Sequence, residues 1–147
     1  LIDSVKDNYD YVLIDSPAGT GSGFDAAAAA ADMALIVVNP EPTSVRGAVN
    51  IRMKLSKLKK DDARLVINRF SLKRFKALGV YKYLDNVIDA CLTQLIAVIP
   101  EDMQIASIAQ RGEAGRAQPK SAVTFRNLAL RLEGENVPIA KKVLGIK

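Results

Sequence analysis

The sequence predicts an α/β domain, with a mostly parallel sheet flanked by helices. Short apolar runs alternate along the chain with helix-like segments, which is typical of βαβ units. These runs are almost continuously apolar, as in strands that are covered on both faces. The 147 residues suit about one domain, and 49% hydrophobic with 25% charged residues is an ordinary globular composition.

Four apolar runs are predicted to be strands, and polar or turn residues follow each of them. Because the carboxyl ends of parallel strands meet at one edge of a sheet, these residues should lie together where open α/β sheets bind ligands. The predicted strands are Tyr11–Ile14, Ala34–Val38, Arg64–Ile67 and Leu95–Ile99, and the residues after them begin with Asp15, Asn39, Asn68 and Pro100.

Helices are predicted in the remaining segments, most of them opened by a polar residue that can cap the first turn. The last should end at Gly134 and bury a stripe of Phe125, Leu128, Ala129 and Leu132. The predicted helices are an Ala-rich one over about Phe24–Ala31, one from Thr43 or Ser44, two short ones capped by Asp85 and Asp102, and one opened by Ser121.

Composition excludes several kinds of chemistry. With no His and a single Cys, the chain can form neither an internal disulfide nor a Ser-His-Asp triad. Cys91 lies between Ala90 and Leu92, which predicts a buried thiol and agrees with a cytosolic location. The most apolar stretch, Ala26–Val38, contains Asp32 and is shorter than the ~20 residues that span a bilayer.

The most informative motif is Asp15-Ser16-Pro17-Ala18-Gly19, directly after the first predicted strand. Pro17 prevents the strand from continuing, and Gly19 permits a tight turn close to a ligand. An Asp in this position is also a common turn or cap residue, so the carboxylate alone does not define a site.

Further motifs follow in a fixed order along the chain. With Asp15–Gly19, this order resembles the MinD/ParA family of deviant P-loop ATPases, and within it the MinD branch. The additional segments are Asn39–Arg46, Asn68-Arg69, Ile99–Asp102, Arg111–Glu113 and Leu132–Pro138.

The resemblance implies ATP and Mg²⁺ as cofactors of the complete protein. It implies that Asp15 holds the magnesium shell through water, that the Gly19 amide senses the terminal phosphate, and that Asn68 recognises adenine. The chemistry of Asn68 agrees, since its amide offers both a donor and an acceptor to the base. The full set of implied nucleotide-binding residues is Asp15, Pro17, Gly19, Asn68, Arg69, Pro100 and Asp102.

Two of these residues keep alternative roles at this point. Arg69 either covers the adenine face or lies in solvent. Pro100 would form a wall beside the base, whereas Asp102 is better explained as a helix cap.

The resemblance also implies a cellular role. It implies an ATP-dependent switch that positions the division septum by nucleotide-controlled dimerisation and membrane binding. The implied partners are a second copy in the ATP state, MinC-like and MinE-like proteins and an anionic membrane surface. The implied location is cytoplasmic and peripheral on the inner face of the cell membrane, and no DNA partner is expected.

One departure from the family is large. A phosphate loop, G-x-x-x-x-G-K-[ST], is absent from the sequence. Residues 1–136 therefore look like the C-terminal portion of an ATPase domain, which should not hydrolyse ATP alone. The strand that would carry this loop should lie beside Tyr11–Ile14, so the shortened sheet is expected to expose an edge or a gap.

Residues 137–147 form a predicted tail with an apolar face and two lysines, Lys141 and Lys142. So short a segment should be disordered in water but can insert as a helix at an anionic surface. A frayed tail is the alternative. The residues expected to contact the membrane are Ile139, Val143, Leu144 and Ile146.

Two other functions compete with this interpretation. Gly21-Ser22-Gly23-Phe24-Asp25-Ala26, with Glu41 about 20 residues after it, fits a dinucleotide-binding fingerprint, but Ser16–Thr20 lie between Asp15 and its first glycine. The net charge of +5 and the basic helix Ser44–Lys60 would suit a ParA-type partition protein that binds DNA nonspecifically. Such a basic run is more often a solvated face.

Overall fold

A computed structural model describes residues 2–17, 19–112, 119 and 121–146. It contains a three-stranded parallel sheet in the order β1-β2-β3, which confirms the predicted α/β class. The strands are β1 (Ala34–Val38), β2 (Ala63–Phe70) and β3 (Leu95–Pro100). In register, Val37 pairs with Val66, Ile67 with Val98, and Phe70 with Pro100.

Helices connect and cover these strands. Two short 3₁₀ turns, Ile2–Ser4 and Lys6–Asn8, precede them near the start of the described chain. The helices are α1 (Ser22–Ala30), α2 (Pro42–Lys57), α3 (Leu72–Leu78), α4 (Leu84–Cys91), α5 (Met103–Arg111), α6 (Ala122–Leu132) and α7 (Lys141–Leu144).

The central strand β2 supplies side chains to both faces of the sheet. On one face, Leu65 and Ile67 are fully buried in the main core, which also contains side chains of α1 to α4. On the other face, Val66 belongs to a smaller cluster against which Leu128 and Leu132 of α6 pack. Burial on both faces explains why the strands are so uniformly apolar.

The prediction of a strand at Tyr11–Ile14 is wrong. The segment is irregular, and Leu13 is 89% exposed. A strand needs a neighbour for its backbone groups, and among the described residues none pairs with this segment or with the outer edge of β1. Within the described residues the open edge is that of β1, whereas the sequence predicted an edge or a gap beside Tyr11–Ile14. Val37 of β1 is 57% exposed on the face away from the main core.

Several helix starts differ from their predictions. Helix α2 begins at Pro42 with Glu41 as N-cap, because proline is well suited to a first turn. Helix α4 begins at Leu84, and Asp85 lies inside its first turn rather than capping it. Helix α3 was not predicted, although Ser71 caps it by accepting a hydrogen bond from the Arg74 amide.

The buried stripe of α6 is also shifted. Thr124 is buried and Leu128 and Leu132 pack against the smaller cluster, whereas Phe125 is 44% exposed.

Cys91 is fully buried in the main core, as predicted, and burial raises the pKa of its thiol. A protonated thiol in the core is unreactive.

Candidate functional site

The carboxyl ends of β1, β2 and β3 meet at one edge of the sheet, because all three strands are parallel. The edge therefore brings together Asn39, the Asn68-Arg69 pair and the Pro100–Asp102 segment. The backbone also connects two of the strand ends, since the Glu101 amide donates to the Phe70 carbonyl at 2.9 Å. Of the four predicted strand ends, three lie at this edge, whereas Asp15 follows no strand because Tyr11–Ile14 is irregular.

Asn68 lies near the end of the central strand and is half-buried. None of the described residues forms a hydrogen bond with its side-chain amide. The amide is thus available to a ligand that offers both a donor and an acceptor.

Arg69 has a left-handed backbone conformation, with φ of +50°, which is uncommon outside glycine. Its guanidinium is exposed and donates to Glu101 at 3.1 Å. The structure thus gives Arg69 an acidic partner, which neither of its two predicted roles included.

The Asp102 carboxylate is a helix cap. It accepts a hydrogen bond from the Gln104 amide at 2.9 Å and another from the Ser121 hydroxyl at 2.7 Å. Ser121 is fully buried. These bonds tie the start of α5 to the start of α6, so Asp102 fixes the loop that follows Pro100.

An ion-pair network that the sequence did not predict crosses the same edge. Arg74 of α3 contacts Glu101 at 3.1 Å and Glu41 at 3.1 Å, and Glu101 also accepts from Arg69. Arg74 therefore links the loop after β1 to the loop after β3. The signal in the sequence was a Glu after each of these two strands, but without α3 its basic partner could not be assigned.

We expect the free energy of unfolding to decrease at acid pH, because the Glu101 ion pairs are lost there. Hydrogen bonds from Arg69 and then Arg74 hold the pKa of Glu101 below its ordinary value of 4.5. Because the unfolded chain then binds a proton more readily, this contribution is present above about pH 4.5 and is lost as the pH falls through the lower folded-state pKa.

The measurement is the unfolding midpoint as a function of pH. Glu101→Gln should lower the midpoint at neutral pH and flatten its decline in acid, while Glu135→Gln, at an exposed site, should leave the profile unchanged. Parallel acid profiles for wild type and Glu101→Gln would contradict the assignment.

A cleft of about 370 Å³ opens at the end of β3. Its position beside Pro100 and Asp102 places it next to two of the predicted nucleotide-binding residues, and Val143 of the tail forms another part of its lining. The residues around it are Pro100, Glu101, Asp102, Met103, Gln104, Ser121 and Val143.

Asp15, Pro17 and Gly19 lie in the irregular segment before α1, and all three are exposed. Gly19 has φ of +94°, a conformation that favours glycine. At Gly23 the reason is space, because an added Cβ would lie 3.0 Å from the Pro17 side chain. Lys54 of α2 contacts the segment that follows Gly19. It donates a hydrogen bond to the Thr20 carbonyl and forms an ion pair with Asp25.

The described residues do not form a complete metal site. Among them, no group of three His, Cys, Asp or Glu side chains is placed to hold a cation. Asp15 can supply an oxygen, but Mg²⁺ takes six ligands, several of them normally waters and phosphate oxygens. The described part of the chain thus offers at most some of the ligands of a magnesium shell.

Many cations of the basic run are occupied within the chain. Arg52 pairs with Asp61 at 3.1 Å, Lys54 pairs with Asp25 at 2.6 Å, and Lys60 donates to the Ala31 carbonyl at 2.9 Å. The two ion pairs reduce the charge that α2 could offer to phosphates.

The Gly-rich segment at residues 21–26 opens α1, but the preceding residues do not form the strand that a dinucleotide fingerprint requires.

Three of the four tail residues predicted to contact a membrane pack on the domain in this structure. Leu144 is 4% exposed within the main core, and Ile139 and Ile146 pack against it. No helix within the described ranges is long and apolar enough to cross a bilayer.

Comparison with known proteins agrees with the motifs. A family model described as an AAA domain matches residues 1–68. The septum site-determining protein MinD of Helicobacter pylori is 37% identical over 145 residues, which cover 93% of this chain and 54% of that protein. The MinD of Synechocystis is 33% identical over 141 residues, covering 94% and 53% respectively.

Solved structures have the same fold. MinD in the MinC:MinD cell division complex of Aquifex aeolicus matches with a TM-score of 0.81 and 32% identity, over 93% of this chain and 58% of that one. MinD of Pyrococcus horikoshii with Mg-ADP matches with a TM-score of 0.71 and 27% identity, over 90% and 54%.

Residues 1–68 of this α/β domain match the AAA domain model. The chain is similar over 90–94% of its length to the relatives named above, which are MinD proteins. It spans about half the length of the curated relatives that it matches.

Proposed function

We propose that this chain is part of a MinD-type switch that binds ATP with Mg²⁺ and takes part in placing the division septum. The observation that carries the proposal is the half-buried Asn68 amide near the end of the central strand, two residues before Phe70, which pairs with Pro100. In a chain with MinD relatives, this is where a base would be recognised.

Different residues would bind different parts of the nucleotide. Asn68 would recognise adenine through its paired donor and acceptor. Pro100 would contact the base, and Asp102 would hold the Pro100 loop through its bonds to Gln104 and Ser121. Arg69, paired with Glu101, would lie at the outer side of the base.

Asp15 and Gly19 would act at the phosphate end. The Asp15 carboxylate would accept hydrogen bonds from the magnesium shell, and the Gly19 amide would face the terminal phosphate. Bound Mg²⁺ supplies neutralisation of phosphate charge. The sequence of 147 residues contains no phosphate-loop motif. The remaining magnesium ligands and the phosphate-binding loop would therefore have to come from outside it.

The proposal extends to partners and location. A second copy in the ATP state, a MinC-like protein and a MinE-like protein are the proposed protein partners, and an anionic membrane is the proposed surface. Support for the MinC-like partner comes from the Aquifex aeolicus MinD in its complex with MinC. The proposed location is cytoplasmic, peripheral on the inner face of the cell membrane, and held there by the tail.

The test of nucleotide recognition is Asn68→Ala in the chain completed with a MinD amino-terminal half. Loss of a buried amide that pairs with the base should cost about 1–3 kcal/mol of ATP binding and reduce the preference over GTP. Asn50→Ala, an exposed change on α2, is the control. If both nucleotides bind the Asn68 variant as they bind the parent, Asn68 is only a strand-end residue.

A further inference from the structure

The backbone between Gly19 and α1 has few polar contacts with the rest of the domain. Gly21 is the N-cap of α1, and it has no side chain with which to cap the first turn. For the described residues 15–17 and 19–21, the single hydrogen bond that comes from another element is donated by Lys54 of α2. The polar attachment of this segment therefore depends on one side chain.

The Lys54 ammonium group makes three contacts at one point. It donates to the Thr20 carbonyl, forms an ion pair with the Asp25 carboxylate at 2.6 Å, and lies 5.2 Å from the centre of the Phe24 ring. The Lys54 side chain is 25% exposed, so most of it is shielded from solvent. A carbonyl, a carboxylate and an aromatic ring together hold this cation more firmly than a single exposed ion pair would.

Other contacts hold the body of α1. Phe24 and Ala28 of α1 are buried in the main core, together with Leu55 of α2. This apolar packing does not involve the Lys54 ammonium group. Its removal should therefore release residues 19–21 without detaching the helix.

We propose that Lys54 is a positioning residue for the phosphate sensor at Gly19. This inference rests on the proposed function, in which the Gly19 amide faces the terminal phosphate. On one side of Gly19, Pro17 packs beside Gly23, where an added Cβ would lie 3.0 Å from it. On the other side, Lys54 holds the Thr20 carbonyl. A donor that is held in place before the ligand arrives needs no reorganisation to stabilise its charge.

The experiment removes the ammonium group with Lys54→Met, which keeps an unbranched side chain that suits a helix. The NMR order parameter of the Gly19 amide is measured in the 147-residue chain. Affinities for ATP and ADP are measured in the chain completed with a MinD amino-terminal half. Since ADP lacks the terminal phosphate that Gly19 would face, its affinity is a reference for the rest of the nucleotide site.

Lys60→Met is the matched control. Lys60 donates to the Ala29 and Ala31 carbonyls at 3.1 and 2.9 Å, so this variant loses the same kind of contact at the opposite end of α1. Lys54→Arg keeps a cationic donor and is the conservative variant.

A second variant covers loss of folding. If circular dichroism shows Lys54→Met to be unfolded, Lys54→Met is combined with Asp25→Ala, which leaves no carboxylate without its cation.

We expect Lys54→Met to lower the preference for ATP over ADP at least about fivefold, the lower end of ordinary coupling between two sites, with ADP affinity unchanged. The order parameter of the Gly19 amide should fall from about 0.85, typical of rigid backbone, to below about 0.6. Lys60→Met and Lys54→Arg should match the parent in both measurements.

Three results would overturn the positioning role. If Lys54→Met keeps the parent's preference for ATP, the role is wrong and the proposed function stands. If Lys60→Met loses the preference equally, any weakening of α1 has the same effect and Lys54 has no special role. If the completed parent does not bind ATP, the proposed function and this inference fail together.

Discussion

Leu65→Ala is expected to destabilise the domain by about 2–5 kcal/mol, the range for large-to-small changes in a packed core. Leu65 is fully buried in the central strand, between β1 and β3. Its removal takes apolar contacts from the main core, and the neighbouring strands hold the backbone in place so that the cavity cannot close.

Urea unfolding of wild type and variant measures this effect. Leu35→Ala is the matched control, because Leu35 lies on the edge strand β1 and is 38% exposed. Its cost should stay below about 1 kcal/mol, as for most partly exposed positions. Equal losses for the two variants would show that the sheet of the isolated chain is not packed as described.

The isolated chain is expected to show no ATP hydrolysis above the buffer rate. Phosphoryl transfer depends on a phosphate cradle, a metal and a positioned nucleophile, and the sequence carries no phosphate-loop motif. Asp15 is exposed in an irregular segment, and one carboxylate cannot hold a nucleotide-bound cation by itself.

Phosphate release with ATP and Mg²⁺ is the measurement, and Asp15→Ala is the control. Wild type and variant should both remain at the background rate. Steady magnesium-dependent turnover by wild type that Asp15→Ala abolishes would show that the 147 residues form a catalytic site, contrary to this expectation.

The strands that pair with one another were predictable from sequence. β1 matches its prediction, and β2 extends beyond Ile67 because Phe70 still pairs with Pro100 of β3. The strand predicted at Tyr11–Ile14 failed because an apolar run specifies only the potential to pair. Whether a neighbouring strand exists is a property of the whole sheet.

In the candidate site too, contacts between neighbouring residues were predictable from sequence, whereas contacts between distant residues were not. The cap formed by Asp102 was predictable, since capping depends on neighbouring residues. The contacts of Arg74 with Glu41 and Glu101 depend on a short helix and join residues about 30 positions apart. Likewise, the helical spacing in the tail predicts an apolar face but not that this face packs beside Leu72.

The open side of β1 has a consequence for the chain at high concentration. Backbone groups of Ala34–Val38 that face away from β2 are a template for another extended segment, and this strand carries no lysine, proline or other gatekeeper residue. Exposed Val37 adds an apolar contact for any strand that docks there. Colloidal stability of the domain should therefore be limited by intermolecular sheet growth from edge strands such as β1, rather than by its net charge of +5.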